Sequence, residues 1–529
     1  MMHLYLITAA VATAIAMTSP SFAIAQDGVQ ANRLRELVFP SLPDGTPPLP
    51  QDIVSTLDTA LQTLTIVEIQ AFMEGNQLTS EILTRYYLER IERLDDRFRT
   101  YVETNPEALN EARAADSLRA EGTILGPLHG IPVSLKDNIG TAAPMHTTAG
   151  AEILLDYAPD EDAQLVRQLR EGGAVILGKA NLSEFAGAIS IGDFLGGSTA
   201  VAGQGVNPHG RFPTGGSSSG SAGAVSANLT VVSVGSETSG SLVAPSAWHS
   251  VVGMKPSRDL VSGDGVIPLL SNNDSPGPIA RNVTDLALLL SVIDTVDIDY
   301  SASLALDALN GIAVGVLASD LAAQPGNQDL LQRIAGTLTL TGADVVPASL
   351  ADWKTGLAEF DLFLAGGIRY EMTPFIGSVN PEIDSLGALV EYYAADPQSR
   401  APFGTPILDG KAAEGADLSE EDFRALGQEL TQTATDLLEA AFASSGAEIL
   451  VSIDNDHSQV YATAGYPAVT VPLGTRSGGG LLAMLGMESA GIPVGVTLIG
   501  KQGQDTALLG YAFAYEQASQ FRLTPEIVK

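Results

Sequence analysis

Residues 213–223 read PTGGSSSGSAG and combine three consecutive serines with glycines, a composition that could serve nucleophilic chemistry. Flexible linkers, phosphate-binding loops and catalytic loops can all have this composition. A linker is disfavoured because the stretch lies between segments that we expect to be buried. A phosphate-binding loop is disfavoured because the stretch contains neither GxxxxGK[ST] nor GxGxxG, and the Gly178-Lys179 pair elsewhere is followed by alanine.

Residues 216–220 match the GxSxG pattern of a nucleophile elbow, with Ser218 at its centre. An α/β-hydrolase would also need an acid and a histidine later in the chain, and His249 and His457 do follow. However, an elbow comes directly after an apolar strand. The preceding NPHGRFPTGG is not such a strand, so this alternative is disfavoured.

Two further segments carry residues that could act together with Ser217. Ser241 follows 24 residues later in VGSETSGSLVAPSAWHSVVGMKPS, and Lys136 ends the apolar run in GPLHGIPVSLKDNI. A lysine, then GGSS, then a second glycine-flanked serine resemble the amidase signature family. The similarity includes AVILGKANLSEFA, VGMKPS and GIPVGVTLIG (491–500), and it extends from about residue 66 to the C-terminal region.

The resemblance implies a Ser–cisSer–Lys catalytic set and no cofactor or metal. By motif match Ser241 is the nucleophile, Ser217 is the bridging serine with a cis peptide bond, and Lys136 is the base. The matching oxyanion-hole donors are the backbone N–H groups of Thr238, Ser239, Gly240 and Ser241. Ser218 and Ser219 are then mainly structural.

These residue types fit the chemistry of amide cleavage. A serine hydroxyl needs a neighbouring base, and a lysine is a base only when it is neutral. The free lysine pKa of about 10.4 is lowered by burial, so we expect Lys136 to be buried and activity to rise toward alkaline pH. The alternative is that Lys136 only forms a salt bridge with Asp137 or Glu184.

Three positions depart from the usual family pattern. Ser239 stands where glycine is usual, Val243 where arginine is usual, and Glu237 where aspartate is usual. These departures resemble the peptide-amidase-like branch and favour C-terminal peptide amides as substrates. We expect the Ser239 side chain to narrow the leaving-group end of the pocket. The alternatives are an aryl- or acyl-amide acylamidase, a catalytically silent binding member, and a glutamyl-tRNA amidotransferase component.

Hydrophobic patterning predicts the elements that must position these residues. Helix-like periodicity and buried-strand runs alternate along the chain. Helices are predicted at 66–75, 79–98, 106–121, 161–171, 285–295 and 328–337. Strands are predicted at 131–138, 174–181, 229–237, 265–269, 311–317, 344–348, 447–453, 467–474 and 495–500. The pattern predicts an α/β fold: one large α/β/α domain in which helices cover both faces of a central mixed sheet.

The chain divides into three predicted parts. Residues 1–25 resemble a secretory signal peptide, with an apolar stretch too short to span a bilayer and a small-x-small site at 23–25. Residues 26–65 are predicted to form an N-terminal surface segment, and 66–529 the amidase signature domain. Within that domain, 350–425 is predicted to be a largely helical variable insertion. The signal predicts a periplasmic or secreted bacterial protein without a membrane anchor after cleavage.

Composition excludes several other function classes. The net charge of −35 disfavours nucleic-acid partners, so we expect a small-molecule or peptide amide as the ligand. The absence of cysteine excludes disulfides, thiol nucleophiles and cysteine-based metal sites. None of the six histidines forms HxxxH. Residues 454–456 (DND) lack the spacing of an EF-hand and are predicted to form a solvated loop near the pocket rim.

Overall fold

An eleven-stranded mixed sheet forms the centre of the molecule. The computed structural model describes residues 33–43, 45–192, 195–322, 326–476 and 491–526. The strands of the sheet are β1 (Tyr101–Thr104), β2 (Pro132–Lys136), β3 (Val175–Ala180), β6 (Val232–Glu237), β7 (Val252–Lys255), β8 (Ser275–Ala280), β9 (Ala313–Val316), β10 (Asp344–Pro347), β11 (Ile449–Ile453), β12 (Ala468–Thr475) and β13 (Pro493–Ile499). Their order across the sheet is β1-β3-β2-β6-β8-β7-β12-β13-β11-β9-β10. A separate two-stranded sheet pairs β4 (Ser198–Thr199) with β5 (Gly203–Gln204).

Helices flank the central sheet, as the sequence predicts. They are α1 (Gln51–Ala60), α2 (Ile66–Glu74), α3 (Ser80–Phe98), α4 (Ala108–Ala120), α5 (Gln164–Glu171), α6 (Ser219–Ser226), α7 (Val243–Trp248), α8 (Val283–Ile293), α9 (Ala318–Leu321), α10 (Asn327–Leu340), α11 (Trp353–Gly356), α12 (Phe360–Gly367), α13 (Thr373–Val379), α14 (Leu386–Ala395), α15 (Pro397–Arg400), α16 (Pro406–Glu414), α17 (Glu420–Ser445), α18 (Ser458–Ala464) and α19 (Asp505–Ser519). The α/β fold class predicted from the sequence is therefore confirmed.

Parallel pairing at the centre of the sheet brings distant motifs together. Strand β2 runs parallel to both β3 and β6, and every residue of these three strands is buried. The Ser233 Oγ donates to the backbone oxygen of Ser134 at 2.9 Å. Because the carboxyl ends of parallel strands meet at one edge, Lys136 at the end of β2 lies beside the end of β6, which leads to Ser241.

The described part of the N-terminal segment packs on the domain. Helix α1 buries Val54 and Leu57, and the Arg33 guanidinium forms a 2.7 Å ion pair with Asp95. The predicted signal peptide, 1–25, lies outside the described residues. No helix in the described ranges is both long and apolar enough to cross a membrane.

The region 350–425 is largely helical in the structure, with helices α11 to α16, a π-helical turn at Ile368–Met372 and the start of α17. Its apolar side chains form a second core cluster with residues near the central sheet, including Phe185 and Leu269. This region therefore packs against loops that lead to the candidate site.

The prediction of a strand at 265–269 is wrong. Only an isolated bridge between Val266 and Ile139 forms there. The nearby strand β8 was not predicted, because its sequence SPGPIA contains prolines and a glycine that are typical of turns. Strand β8 nevertheless pairs with β6 on one side and β7 on the other.

Candidate active site

Lys136 lies at the carboxyl end of β2 and is completely buried. Its Nζ donates to Ser217 Oγ at 2.6 Å, and to the backbone oxygen and the Oγ of Ser236, each at 3.0 Å. Asn138 Nδ2 donates to the same Ser236 hydroxyl at 2.9 Å. Lys136 is thus held by oxygen atoms of two segments that the sheet brings together.

Burial lowers the pKa of Lys136 to about 7, against the opposing influence of the Asp274 and Glu237 carboxylates. Removing an ammonium group from water disfavours its charged form, and here desolvation exceeds the attraction of the two acids. At neutral pH a substantial fraction of Lys136 is therefore a neutral amine, which can accept a proton from the hydroxyl that it contacts.

Ser217 lies in the loop before α6, and the Gly216–Ser217 peptide bond is cis. The Ser183 N–H donates to the Ser217 carbonyl at 3.0 Å. The neighbouring Ser218 fixes the loop to β6, because its Oγ donates to the Ser236 carbonyl at 3.0 Å and accepts the Ser236 N–H at 3.2 Å. The Ser217 hydroxyl thus contacts Lys136, whereas the Ser218 hydroxyl binds the backbone groups of Ser236.

Ser241 lies between β6 and α7 and is nearly buried, with 7% exposure. The Ser218 N–H donates to its carbonyl at 3.2 Å, which joins the two serine loops. Within the described ranges, the Ser241 hydroxyl forms no hydrogen bond. The Glu237 Oε2 accepts the N–H groups of Leu242 at 2.7 Å and Val243 at 3.1 Å, which anchors the backbone on the far side of Ser241.

The backbone N–H groups of residues 238–241 donate to no acceptor among the described residues. We name this stretch, Thr238 to Ser241, the oxyanion loop after the role that the sequence predicts for it. Its Gly240 has φ of +78°, and a side chain there would meet Asn455 Nδ2 at 2.9 Å and Ser458 Oγ at 3.0 Å. Unengaged N–H groups next to a hydroxyl are the donors that a developing oxyanion requires.

Asp274 supports the oxyanion loop from the opposite side. Its Oδ1 accepts the Thr238 hydroxyl at 2.6 Å, and its Oδ2 accepts the N–H groups of Leu269 and Leu270 at 2.8 and 2.9 Å. Burial raises the pKa of Asp274. The loop that contains Leu269 in turn contacts the helical region, since Glu371 accepts the Ser271 N–H at 2.5 Å.

Asp137 forms its ion pair with Lys179, and not with Lys136 as the alternative interpretation requires. Its Oδ1 lies 3.9 Å from Lys179 Nζ, and both side chains are fully buried. Burial lowers the pKa of Lys179 to about 8 and raises that of Asp137 to about 6. Lys136 forms no ion pair with any described carboxylate, so the alternative of a salt bridge with Asp137 or Glu184 is not observed among these residues.

Several polar residues at the site were not identified from the sequence. Ser236 and Asn138 contact Lys136 or its partner, and Lys179 holds Asp137. Asn138 and Lys179 each lie inside a quoted family motif, which was the one available signal. Ser236 also lies inside a quoted segment, VGSETSG, but nothing in that segment indicates its contact with Lys136, which lies 100 residues away in the chain.

The histidines near the motifs and the 454–456 segment make structural contacts. His249 Nδ1 contacts the Pro245 carbonyl at 2.8 Å, and His129 Nε2 contacts that of Ala115 at 2.9 Å. In the 454–456 segment, Asp454 is buried rather than solvated, and it bonds Arg476 Nη2 at 2.8 Å. Across the described ranges, no group of three or more acidic or histidine side chains could hold a metal ion.

Comparison with known proteins places this geometry in a family. A family model described as Amidase matches residues 82–373. A probable amidase of Arabidopsis thaliana is 34% identical over 89% of this chain and 92% of its own length. One component of the glutamyl-tRNA(Gln) amidotransferase of Moorella thermoacetica is 31% identical over 88% of this chain and 99% of its own.

A solved structure agrees with these relatives. The native peptide amidase of Stenotrophomonas maltophilia superposes with a TM-score of 0.79 at 35% identity, covering 88% of this chain and 98% of the amidase. The family model spans more than half of the chain, and the relatives match along most of their lengths. The chain therefore belongs to the amidase family, the amidase signature enzymes, and it is an enzyme that hydrolyses amide C–N bonds.

Proposed function

We propose that this protein is an exported amidase that cleaves carboxamides through an acyl-enzyme on Ser241, with C-terminal peptide amides as its substrates. The observation that carries the catalytic part is the 2.6 Å contact between the buried Lys136 Nζ and Ser217 Oγ, next to the oxyanion loop. A neutral amine, a relaying hydroxyl and free N–H donors are what acyl transfer from an amide needs.

The proposed reaction starts with proton transfer along the three side chains. Ser241 Oγ attacks the carbonyl carbon as its proton passes to Ser217 Oγ, while the Ser217 proton passes to Lys136 Nζ. The carbonyl oxygen becomes an oxyanion that accepts hydrogen bonds from the oxyanion loop. The C–N bond then breaks, and the leaving nitrogen takes a proton back through Ser217. Water attacks the resulting ester by the same route and releases the acid and free Ser241.

Completion of this relay depends on the Ser241 hydroxyl. In the structure its Oγ is not hydrogen-bonded to Ser217 Oγ, whereas Ser217 Oγ already contacts Lys136 Nζ. A serine hydroxyl turns between staggered rotamers at small cost, and catalytic hydrogen bonds often tighten only when substrate is bound. The substrate complex is therefore the state in which Ser241 donates to Ser217.

Two features support peptide amides over the other substrate classes. The chain is 35% identical to a peptide amidase along most of both lengths. Glu237 and Val243 also resemble the peptide-amidase-like branch at two positions where that branch departs from the usual family pattern. An aryl- or acyl-amide acylamidase is the alternative. The relationship to amidotransferase components is also close, but the net charge of −35 opposes a role that depends on tRNA.

A substrate panel tests the proposal. Amidated peptides, anilides, fatty-acid amides and small carboxamides are incubated with the enzyme and with Ser241→Ala, and products are identified by mass spectrometry. Ser241-dependent ammonia release from amidated peptides is the expected result. Amine release from anilides or acyl amines alone would instead establish an acylamidase. Turnover that persists in Ser241→Ala would remove the proposed nucleophile, and no turnover of any amide would favour a silent binding protein.

The Ser239 side chain is proposed to restrict the leaving group. Its hydroxyl donates to Ser458 Oγ at 3.3 Å, so the side chain occupies space between the oxyanion loop and α18. Ser239→Gly should raise the turnover of anilides relative to that of primary amides by about threefold or more, because one side chain is removed from the pocket wall. An unchanged ratio of the two activities would contradict this role.

The export part of the proposal rests on residues 1–25. Their apolar stretch and their small-x-small site fit a cleavable secretory signal. Expression of the full chain in a Gram-negative host should place activity in the periplasm or medium, with a mature N-terminus at residue 26. Deletion of 1–25 should retain the activity in the cytoplasm. An uncleaved chain that stays in the cytoplasm would refute the export proposal.

A further inference from the structure

The turn between β11 and α18 contacts the oxyanion loop with a side chain that has no role in the proposed relay. A Cβ atom at Gly240 would lie 2.9 Å from Asn455 Nδ2 and 3.2 Å from Asn455 Cβ. Ser239 Oγ donates to Ser458 Oγ, at the start of α18 directly after this turn, at 3.3 Å. The Asn455 amide therefore lies against the residue that directly precedes Ser241.

The turn is fixed on both sides of Asn455. The Asp454 carboxylate accepts Arg476 Nη2 at 2.8 Å and the Gly495 N–H at 2.9 Å, and its carbonyl accepts the Thr497 hydroxyl at 2.6 Å. His457 Nδ1 bonds Ser452 Oγ at 2.7 Å. These contacts hold the backbone of the turn that carries Asn455 in place before any ligand binds, which is how an effective binding group is presented.

The Asn455 side chain is itself unused and accessible. It is half-buried, and its amide forms no hydrogen bond with a described residue. A carboxamide offers two N–H donors and an oxygen acceptor without net charge. A peptide group, with one carbonyl and one N–H, is the matching neutral ligand.

We propose that Asn455 is a substrate-binding residue whose amide hydrogen-bonds the peptide group next to the scissile carboxamide. This inference rests on the proposed function and deepens it: Asn455 gives the enzyme its preference for peptide amides over simple amides. The Asp454 carboxylate does not compete, because Arg476 and the Gly495 N–H already occupy its two oxygens.

A matched pair of amides tests the inference. N-acetylphenylalanine amide and 3-phenylpropanamide carry the same phenyl ring and the same scissile carboxamide, and only the first has a peptide group. Asn455→Ala should lower kcat/KM for the first about tenfold, the loss of one hydrogen bond, and change the second less than twofold. Asn110→Ala, on the exposed face of α4, is the control and should leave both unchanged.

Equal losses on both amides would show that Asn455 only shapes the oxyanion loop and would overturn the inference, as would no loss on either. A binding measurement distinguishes this failure from a failure of the proposed function, because it does not depend on turnover. Calorimetry of N-acetylphenylalanine amide with Ser241→Ala should give a Kd that rises about tenfold when Asn455→Ala is added. An unchanged Kd, or no binding to Ser241→Ala at all, would refute the role of Asn455 whatever the turnover results.

Discussion

Lys136 is surrounded by hydroxyl and carbonyl oxygens instead of carboxylates. Its Nζ contacts Ser217 and Ser236, and no ion pair with a described residue holds its proton. A lysine that is buried without a paired acid is neutral closer to physiological pH than a free lysine. This arrangement makes Lys136 suited to accept a proton, whereas Lys179, which lies near Asp137, serves to hold structure.

We expect the pH profile of kcat/KM to follow the Lys136 amine. Its pKa of about 7 means that the neutral base is lost as pH falls through that value, so activity should drop about tenfold per unit below it. Activity should reach a plateau above about pH 8. Initial rates from pH 5 to 10 measure this. Lys136→Arg, which stays charged, should be inactive throughout, and a rate maximum below pH 6 would contradict a lysine base.

Gly240→Ala should disable the oxyanion loop. A left-handed φ of +78° costs a non-glycine residue about 1–2 kcal/mol, and the new methyl would collide with Asn455 and Ser458. The displaced N–H groups should lower kcat about a hundredfold or more. Gly336→Ala is the matched control, since its helix position has open space and should keep full activity. If Gly240→Ala keeps activity within twofold of the wild type, the N–H groups of the oxyanion loop do not have the proposed role.

For single residues, the sequence allows a functional prediction only where the residue stands inside a recognisable motif. Lys136, Ser217 and Ser241 were predicted as the catalytic set because each stands inside a motif that resembles the family pattern, and the structure brings Lys136 and Ser217 into contact. Ser236 and Asn455 were not predicted to take part. Ser236 stands in the same quoted segment as Ser241, but its contact is with Lys136, 100 residues away, and Asn455 is distinguished only by its position against Gly240 of another loop. Contacts of this kind are set by sheet topology, which one sequence does not display.

Among the elements, periodicity predicted those that are uniformly buried or clearly amphipathic. The parallel strands β2, β3 and β6 have near-continuous apolar runs and were found within a few residues. Strand β8 was missed, since its prolines suggest a turn, and helix α1 was missed within a segment rich in proline. Backbone pairing imposed by neighbouring strands overrode local propensity in β8.

The buried carboxyl group of Glu184 connects the segment that contains AVILGKANLSEFA to the helical region 350–425. Glu184 Oε1 accepts the Tyr393 hydroxyl of α14 at 2.7 Å, and its Oε2 accepts the Ala200 N–H at 2.9 Å. Burial raises the pKa of Glu184 to about 8, against the two hydrogen bonds, and Glu152 adds to the rise. The folded protein therefore keeps a proton there that the unfolded chain loses near its ordinary pKa of about 4.3.

Glu184→Gln should flatten the dependence of stability on pH. In the wild type the native state binds one more proton than the unfolded state between about pH 4.3 and pH 8, so stability falls as pH rises through that window, by up to about 1.4 kcal/mol per unit. Glutamine copies the neutral acid and has no such proton. Urea unfolding at pH 6.0 and 7.5 compares the two proteins, and equal losses in both would exclude Glu184 as the cause.

Across the whole molecule, negative charge is the dominant surface property. The chain has 62 acidic and 27 basic residues and a net charge of −35. Spread over the surface, such charge favours solubility but destabilises the compact state by self-repulsion. This property was evident from composition alone, in contrast to the positions of the strands.

Salt should therefore stabilise the protein. Raising NaCl from 0.05 to 0.5 M shortens the Debye length from about 14 to about 4 Å and screens repulsion between carboxylates. The Tm should rise by about 5 °C or more, given the net charge of −35. Calorimetry in NaCl, with sucrose at the same osmolality as a control for solute exclusion, measures the effect. A Tm that falls or stays constant with NaCl would argue against repulsion as a limit on stability.

Amine-directed chemistry should divide the lysines of this protein into two groups. The side chains of Lys136, Lys179 and Lys255 are completely buried, whereas Lys354 is exposed on α11. Acylating reagents react with neutral amines that they can reach, so they should modify Lys354 well before the three interior lysines. The enzyme could therefore be attached to a solid support through its surface amines while the Lys136 amine stays protected by the folded chain.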